Sequence, residues 1–280
     1  MPPADIGMAR RLARQRGAVL GFAILAGLAL LAVGAPWWSP RDPIRTAPRE
    51  ALQPPGERYL LGTDQFGRDV ASRVLFGARI SLTVGLVAVS IAVLVGAPLG
   101  LVSGFYGGRL DTLVMRLMDI LLAFPGILLA LAIVTVLTPG LVNVMIAVGL
   151  AAVPAYARLM RATTLSAREF LYVEAARAIG ARDLFILVRY ILPNVVAPLI
   201  VTATLGLGGA ILAAAALSFL GLGSQPPTPE WGRMLSEGRD YLREAWWIST
   251  FPGLAIMLTV LAMNLLGDGL RDVLDPRLKT

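Results

Sequence analysis

Neither histidine nor cysteine occurs among the 280 residues, and the single lysine is Lys279. Thiol chemistry, an imidazole base, disulfides and Cys/His metal sites are therefore excluded. A phosphate loop of the G-x-x-x-x-G-K-[ST] kind is excluded too, so the chain cannot bind and split ATP through a P-loop of its own. A hydrolase would need a Ser–Lys pair or two carboxylates within an apolar segment, and neither is available. Patterned chemistry is left to arginines, carboxylates, glycines and prolines.

Four patterns stand out. Ser166 to Gly180 reads as a short amphipathic helix. Ser166 and Glu169 form a capping box, Gly180 suits the C-terminal cap, and Tyr172, Ala175, Ala176 and Ile179 form a stripe. The small Ala175–Ala176 pair leaves room for a partner, and Glu174 and Arg177 offer charges beside it. A partner dock and a plain interfacial helix fit these features equally. Gly96, Gly100, Gly104 and Gly108 recur every four residues, the spacing of a close-packing helix face. Asp64 and Gly67 suit a turn, and Asp69 could cap a short helix. Asp268, Arg271 and Asp272 read as helix termination with interfacial charge pairing.

The elements that must position these residues are membrane helices. The chain is 56% hydrophobic and 15% charged, with a mean hydropathy of +0.72, and a span needs about 20 apolar residues. Uncharged windows run over 17–40, 80–108, 120–157, 190–229 and 245–267. The third would make a helix of roughly 57 Å against a core of about 30 Å, so it must fold back, and Thr138-Pro139-Gly140 supplies the turn. The first window outruns the usual secretory stretch of roughly 7 to 15 apolar residues and ends in Trp37-Trp38, an interfacial pair, so it is an uncleaved span. The expected fold is an all-α polytopic membrane protein with about six transmembrane helices.

Arg10, Arg11, Arg14 and Arg16 place the N-terminus in the cytoplasm, and an even number of spans returns the C-terminus to the same side. The map has a cytoplasmic tail (1–17), span 1 (18–36), an extracytoplasmic segment (37–79) and a core of five spans (80–280). Within the core, spans 2, 3 and 4 lie near 80–103, 117–137 and 141–157. A cytoplasmic loop covers 158–190, span 5 lies within 192–223, an outer loop covers 224–245, and span 6 ends near Gly267. Pro193, Pro198, Gly206, Gly208 and Gly209 imply tilt or a break in span 5. The net charge of +7 comes from membrane-flanking arginines and implies no nucleic acid.

Glu174-Ala175-Ala176, Arg177, Gly180 and Leu192-Pro193 together resemble the EAA loop of ABC importer permeases, with Tyr190 standing where an aliphatic residue is usual. Leu61-Gly62-Thr63-Asp64-Gln65-Phe66-Gly67-Arg68-Asp69, Ser72-Arg73, Gly77-Ala78-Arg79, Asp119 and Phe124-Pro125 are similar to the dipeptide/oligopeptide/nickel branch of that family. So are Pro229-Glu230-Trp231-Gly232, the run from Asn264 to Asp272, and Leu274-Asp275-Pro276-Arg277; these point to the second, C-type permease subunit.

The resemblance implies a type I importer transmembrane domain in a prokaryotic cytoplasmic membrane. It implies a homologous second permease, one or two cytoplasmic ATPases that bind ATP and magnesium, and an extracytoplasmic solute-binding protein, with no cofactor on this chain. The EAA loop would be the helix that seats in an ATPase groove, and crosslinks from Glu237 on the outer loop are expected to reach the binding protein or the second permease. Peptides are the expected cargo, with nickel, glutathione or sugars as alternatives. An ion-coupled carrier is disfavoured, because no carboxylate falls within the apolar windows and no repeated halves are visible.

Overall fold

The computed structural model describes residues 12–274. Arg10, Arg11, Asp275, Pro276, Arg277 and Lys279 lie outside the described residues. Nine helices are described: α1 (Arg16–Trp38), α2 (Val70–Tyr106), α3 (Gly108–Leu122), α4 (Gly126–Leu137), α5 (Leu141–Arg168), α6 (Leu171–Ala178), α7 (Asp183–Phe219), α8 (Trp231–Gly238) and α9 (Trp247–Leu274). Helices α1, α2, α5, α7 and α9 are long and apolar enough to cross a membrane, and α3 with α4 is together apolar enough to make either a sixth, broken span or a re-entrant loop.

The centre of the bundle is a small-residue core. Val84, Ala88 and Ala92 of α2 meet Val144, Ala147 and Val148 of α5 and Ala210 and Ala214 of α7, with Ala130 and Val134 of α4 closing one side. Small side chains allow the close approach that stabilises helix pairs in lipid, where the hydrophobic effect contributes little between helices. Gly96, Gly100 and Gly104 show this directly. A Cβ on them would come within 2.6, 2.1 and 2.8 Å of the carbonyl oxygens of Val153, Ala157 and Arg161 on α5. Gly108 does not share that face. Helix α2 stops at Tyr106, Gly107 and Gly108 take φ of +67° and +60°, and Gly108 faces open space at the head of α3.

Several boundaries differ from the expectation, each for a local reason. Span 2 begins at Val70, because Asp69 caps the long helix itself: its carboxylate accepts the Ser72 N–H at 2.8 Å, and no short surface helix forms. Span 3 is bent by 91° at Phe124-Pro125, where proline removes a donor and turns the preceding residue from helix.

Span 4 runs on to Arg168. Its polar extension is held by α2 and α3. Arg158 pairs with Asp119 at 2.5 Å, Arg161 grips Asp111 through two bonds of 2.5 and 2.6 Å, and Arg168 donates to the Gly104 carbonyl at 3.1 Å. Ser166 is consequently inside α5, with its hydroxyl on the Ala162 carbonyl, and caps nothing. Span 6 continues through Asp268, Arg271 and Asp272 to Leu274, so these residues do not terminate it; Asp272 instead accepts from the Gln15 amide at 3.2 Å.

At the end of the bundle carrying α8, residues 39–69 and 220–246 fold into a polar cap. Its keystone is a buried ionic cluster. Arg68 reaches Asp64 at 2.5 Å and Glu237 at 2.6 Å, while Arg73 reaches Glu237 at 3.3 Å and the Pro227 carbonyl at 3.2 Å. The Glu237 side chain is therefore committed to this cluster and only 8% exposed. Trp231 donates its indole N–H to the Val74 carbonyl and Trp247 to the Thr63 carbonyl, both at 3.0 Å. Glu230 caps α8 by accepting the Gly232 and Arg233 N–H groups at 2.8 Å, and burial raises its carboxyl above the usual range.

Candidate functional site

The EAA-like residues gather at the opposite end, on α6. The chain leaves α5 at Glu169 and turns through Phe170, which is extended (φ −72°, ψ 139°) and starts α6 with no side-chain cap. Eight residues follow, and the helix stops at a left-handed glycine. Gly180 has φ +78°, its N–H reaches the Arg177 carbonyl at 2.9 Å, and the Ala181 N–H reaches the Ala176 carbonyl at 3.0 Å. This is a Schellman stop, which satisfies carbonyls the helix would otherwise leave bare.

Two faces of α6 do different work. Val173 and Ala176 are buried against Phe105 of α2 and Ile186, Leu187 and Ile191 of α7. Leu171, Tyr172, Glu174, Ala175 and Ile179 are exposed, Leu171 at 82% and Ile179 at 84%. The expected stripe is thus split: Ala176 packs inward, while Tyr172, Ala175 and Ile179 form an outward apolar face. Glu174 makes no ion pair among the described residues, and the Arg177 guanidinium lies 5.4 Å from the centroid of the Phe105 ring.

The link from α6 into the membrane is short. Asp183 starts α7, Leu187–Ile191 forms a π-helical turn, and the helix continues unbroken through Leu192 and Pro193 to Phe219. Pro193 has no N–H to donate, and the preceding turn widens so that the Leu192 N–H reaches the Leu187 carbonyl.

An aromatic chain crosses the same junction. Ring centroids are 5.4 Å apart for Phe170–Tyr172, 6.1 Å for Tyr172–Tyr190 and 5.8 Å for Phe185–Tyr190. Sequence reasoning missed these four as a unit. The one signal was Tyr190 itself, an aromatic residue at a position where an aliphatic one is usual.

Nothing at this site is arranged for covalent chemistry. It offers an exposed apolar face with a small residue, Ala175, at its middle, and its opposite face packs on a membrane helix. Residues 96–280 match the family described as the inner membrane component of binding-protein-dependent transport systems, and residues 7–55 match the N-terminal transmembrane domain of oligopeptide transport permease C.

The chain belongs to this permease family.

Among relatives of the permease, a di/tripeptide transport system permease protein, DppC, of Pseudomonas aeruginosa is 50% identical over 273 residues, covering 95% of this chain and 90% of the relative. A glutathione transport system permease protein, GsiD, of Escherichia coli is 49% identical over 271 residues, covering 96% and 89%. The fold is that of a chain of the MetNI methionine ABC transporter, with a TM-score of 0.58 over 72% of this permease and 96% of that chain at 21% identity. The expected all-α fold and membership of the permease family are thereby established; the permease is a multi-pass membrane protein.

Proposed function

We propose that this permease carries di- and oligopeptides across the cytoplasmic membrane as one of two permease subunits in an ABC importer, and that α6 is the element through which ATPase motion enters it. The observation that carries the coupling role is the pairing of an exposed apolar face on α6 with a buried face, Val173 and Ala176, locked onto α7. The peptide cargo is supported by relatives named for di/tripeptide and peptide transport.

In this reading the α6 end faces the cytoplasm, as do both termini, and the α8 cap faces outward, in keeping with the arginines that flank α1. The partners are a homologous permease, one or two ATPases that hold ATP and magnesium, a solute-binding protein at the cap and the surrounding lipids. Leu171, Tyr172, Ala175 and Ile179 seat in the ATPase surface. When the ATPases close, α6 moves as a rigid body, because its Schellman stop and short length leave it little freedom. The displacement passes through Tyr172, Tyr190 and the π-helical turn into α7. There it alters how α7 packs on α2 and α5, the helices that carry the small-residue core.

The test is ATP-driven uptake in proteoliposomes holding the copurified importer and its binding protein. Labelled alanyl-alanine is expected to accumulate inside. Uptake of glutathione or nickel without any uptake of dipeptide would overturn the cargo.

A further inference from the structure

The cap contains a pocket of about 640 Å3 that the transport reading leaves without a role. It opens two residues beyond Trp38, where the exposed Trp37-Trp38 pair at the end of α1 marks the depth of a membrane interface. Four arginines, Arg41, Arg45, Arg49 and Arg58, and three carboxylates, Asp42, Glu50 and Asp69, line it, with Tyr59 among them. Arg58 is engaged by Glu50. Arg41 lies over the Tyr59 ring at 4.1 Å from its centroid and donates to the Arg58 carbonyl at 2.8 Å. Arg45 and Arg49 are exposed and make no ion pair among the described residues.

Asp69 supplies the second half of the argument. It is 2% exposed, and its Oδ2 is committed to the Ser72 N–H at 2.8 Å and to the Ser72 hydroxyl. Its Oδ1 is buried and accepts no hydrogen bond among the described residues, with Arg41 no closer than 3.9 Å. A buried carboxylate oxygen without a donor is costly, so a ligand that brings an N–H there is favoured. The pocket thus asks for an anion at Arg45 and Arg49 and a compact ammonium donor at Asp69.

We propose that this pocket is a site for the headgroup of phosphatidylethanolamine, its phosphate on Arg45 and Arg49 and its primary ammonium on Asp69. A phosphate beside a –NH3+ group matches both halves at once, and the pocket's place beside the tryptophans puts it within reach of a lipid whose tails run along α1. Phosphatidylcholine has no N–H to offer Asp69, and phosphatidylglycerol has no cation. A free zwitterion such as a dipeptide carries similar charges but has no tails to hold it at the interface.

The experiment is native mass spectrometry of the intact importer released from nanodiscs of equimolar phosphatidylethanolamine, phosphatidylcholine and phosphatidylglycerol. Wild type is expected to retain one phosphatidylethanolamine more than the Arg45→Gln/Arg49→Gln importer. Asp69→Asn keeps an oxygen to cap α2 and is expected to lose the preference for phosphatidylethanolamine over phosphatidylglycerol at that site. Millimolar alanyl-alanine is expected to leave the retained lipid in place. Equal retention by wild type and the arginine variant, retention with no headgroup preference, or displacement by alanyl-alanine would each overturn the proposal.

Discussion

The ring of Tyr172 on α6 lies 6.1 Å from the ring of Tyr190 on the π-helical turn of α7. Eighteen positions of sequence separate the two, and between them lie the glycine stop and the start of a membrane helix. Tyr190 also meets Phe185, within α7, edge-on at 5.8 Å, so the ring that contacts α6 is itself braced by its own helix. Aromatic pairs of this kind contribute about 0.5–1.5 kcal/mol each beyond their buried area.

Tyr190→Ala should therefore loosen α6 from α7, whereas Tyr190→Phe keeps both ring contacts. In the reconstituted importer the alanine variant is expected to lose most solute-stimulated ATP hydrolysis while basal hydrolysis persists. The phenylalanine variant is expected to match wild type. Equal stimulation in all three would remove the aromatic chain from the coupling route.

The α2–α5 crossing makes a graded prediction. A Cβ at Gly100 would sit 2.1 Å from the Ala157 carbonyl oxygen, and backbone cannot step aside cheaply. Gly100→Ala is expected to destabilise the chain by about 1–3 kcal/mol, the usual cost of overpacking. Gly209 has no neighbour within 4 Å of a Cβ, so Gly209→Ala is expected to be neutral or slightly stabilising through helix propensity. Thermal unfolding in detergent, followed for both variants, checks the difference.

Glu237 offers a test of the cap. Its carboxylate compensates Arg68 and Arg73, each with a side chain no more than 3% exposed. Glu237→Gln leaves two buried guanidinium groups sharing only Asp64, and a loss of about 3–5 kcal/mol is expected. The pair Arg239–Asp240, 59% and 75% exposed, is a control in which Asp240→Asn should cost no more than about 1 kcal/mol. Denaturation of the purified chain reads both.

Legibility in the sequence followed the range of the interaction. The apolar windows placed the long helices, because composition over some 20 residues decides membrane insertion. The EAA-like residues marked α6, and Gly180 announced its stop, because that signal is local. Ser166 and Glu169 misled: a capping box is only a local preference, and the pairing of Arg158 and Arg161 with Asp119 and Asp111 carries α5 straight through it. The bend at Phe124-Pro125 separates an amphipathic α3 from an apolar α4, and it was hidden because the uncharged window that opens at residue 120 runs straight across it. The ties from Arg68 and Arg73 to Glu237 were invisible, since no periodicity links residues 169 and 164 positions apart. Tyr172 with Tyr190 failed to appear for the same reason.

The coupling role of α6 is tested most directly by photocrosslinking from Ala175, an exposed small residue at the centre of the outward face. A photoreactive amino acid is placed at position 175 in one importer and at position 239, beside α8, in another. In membranes holding the assembled complex, the probe at 175 is expected to form its main adduct with an ATPase subunit, with a yield that changes on addition of ATP. The probe at 239 is expected to form none with the ATPase. An adduct between the ATPase and position 239, or adducts from 175 that never include the ATPase while assembly is intact, would contradict the coupling role and the orientation together.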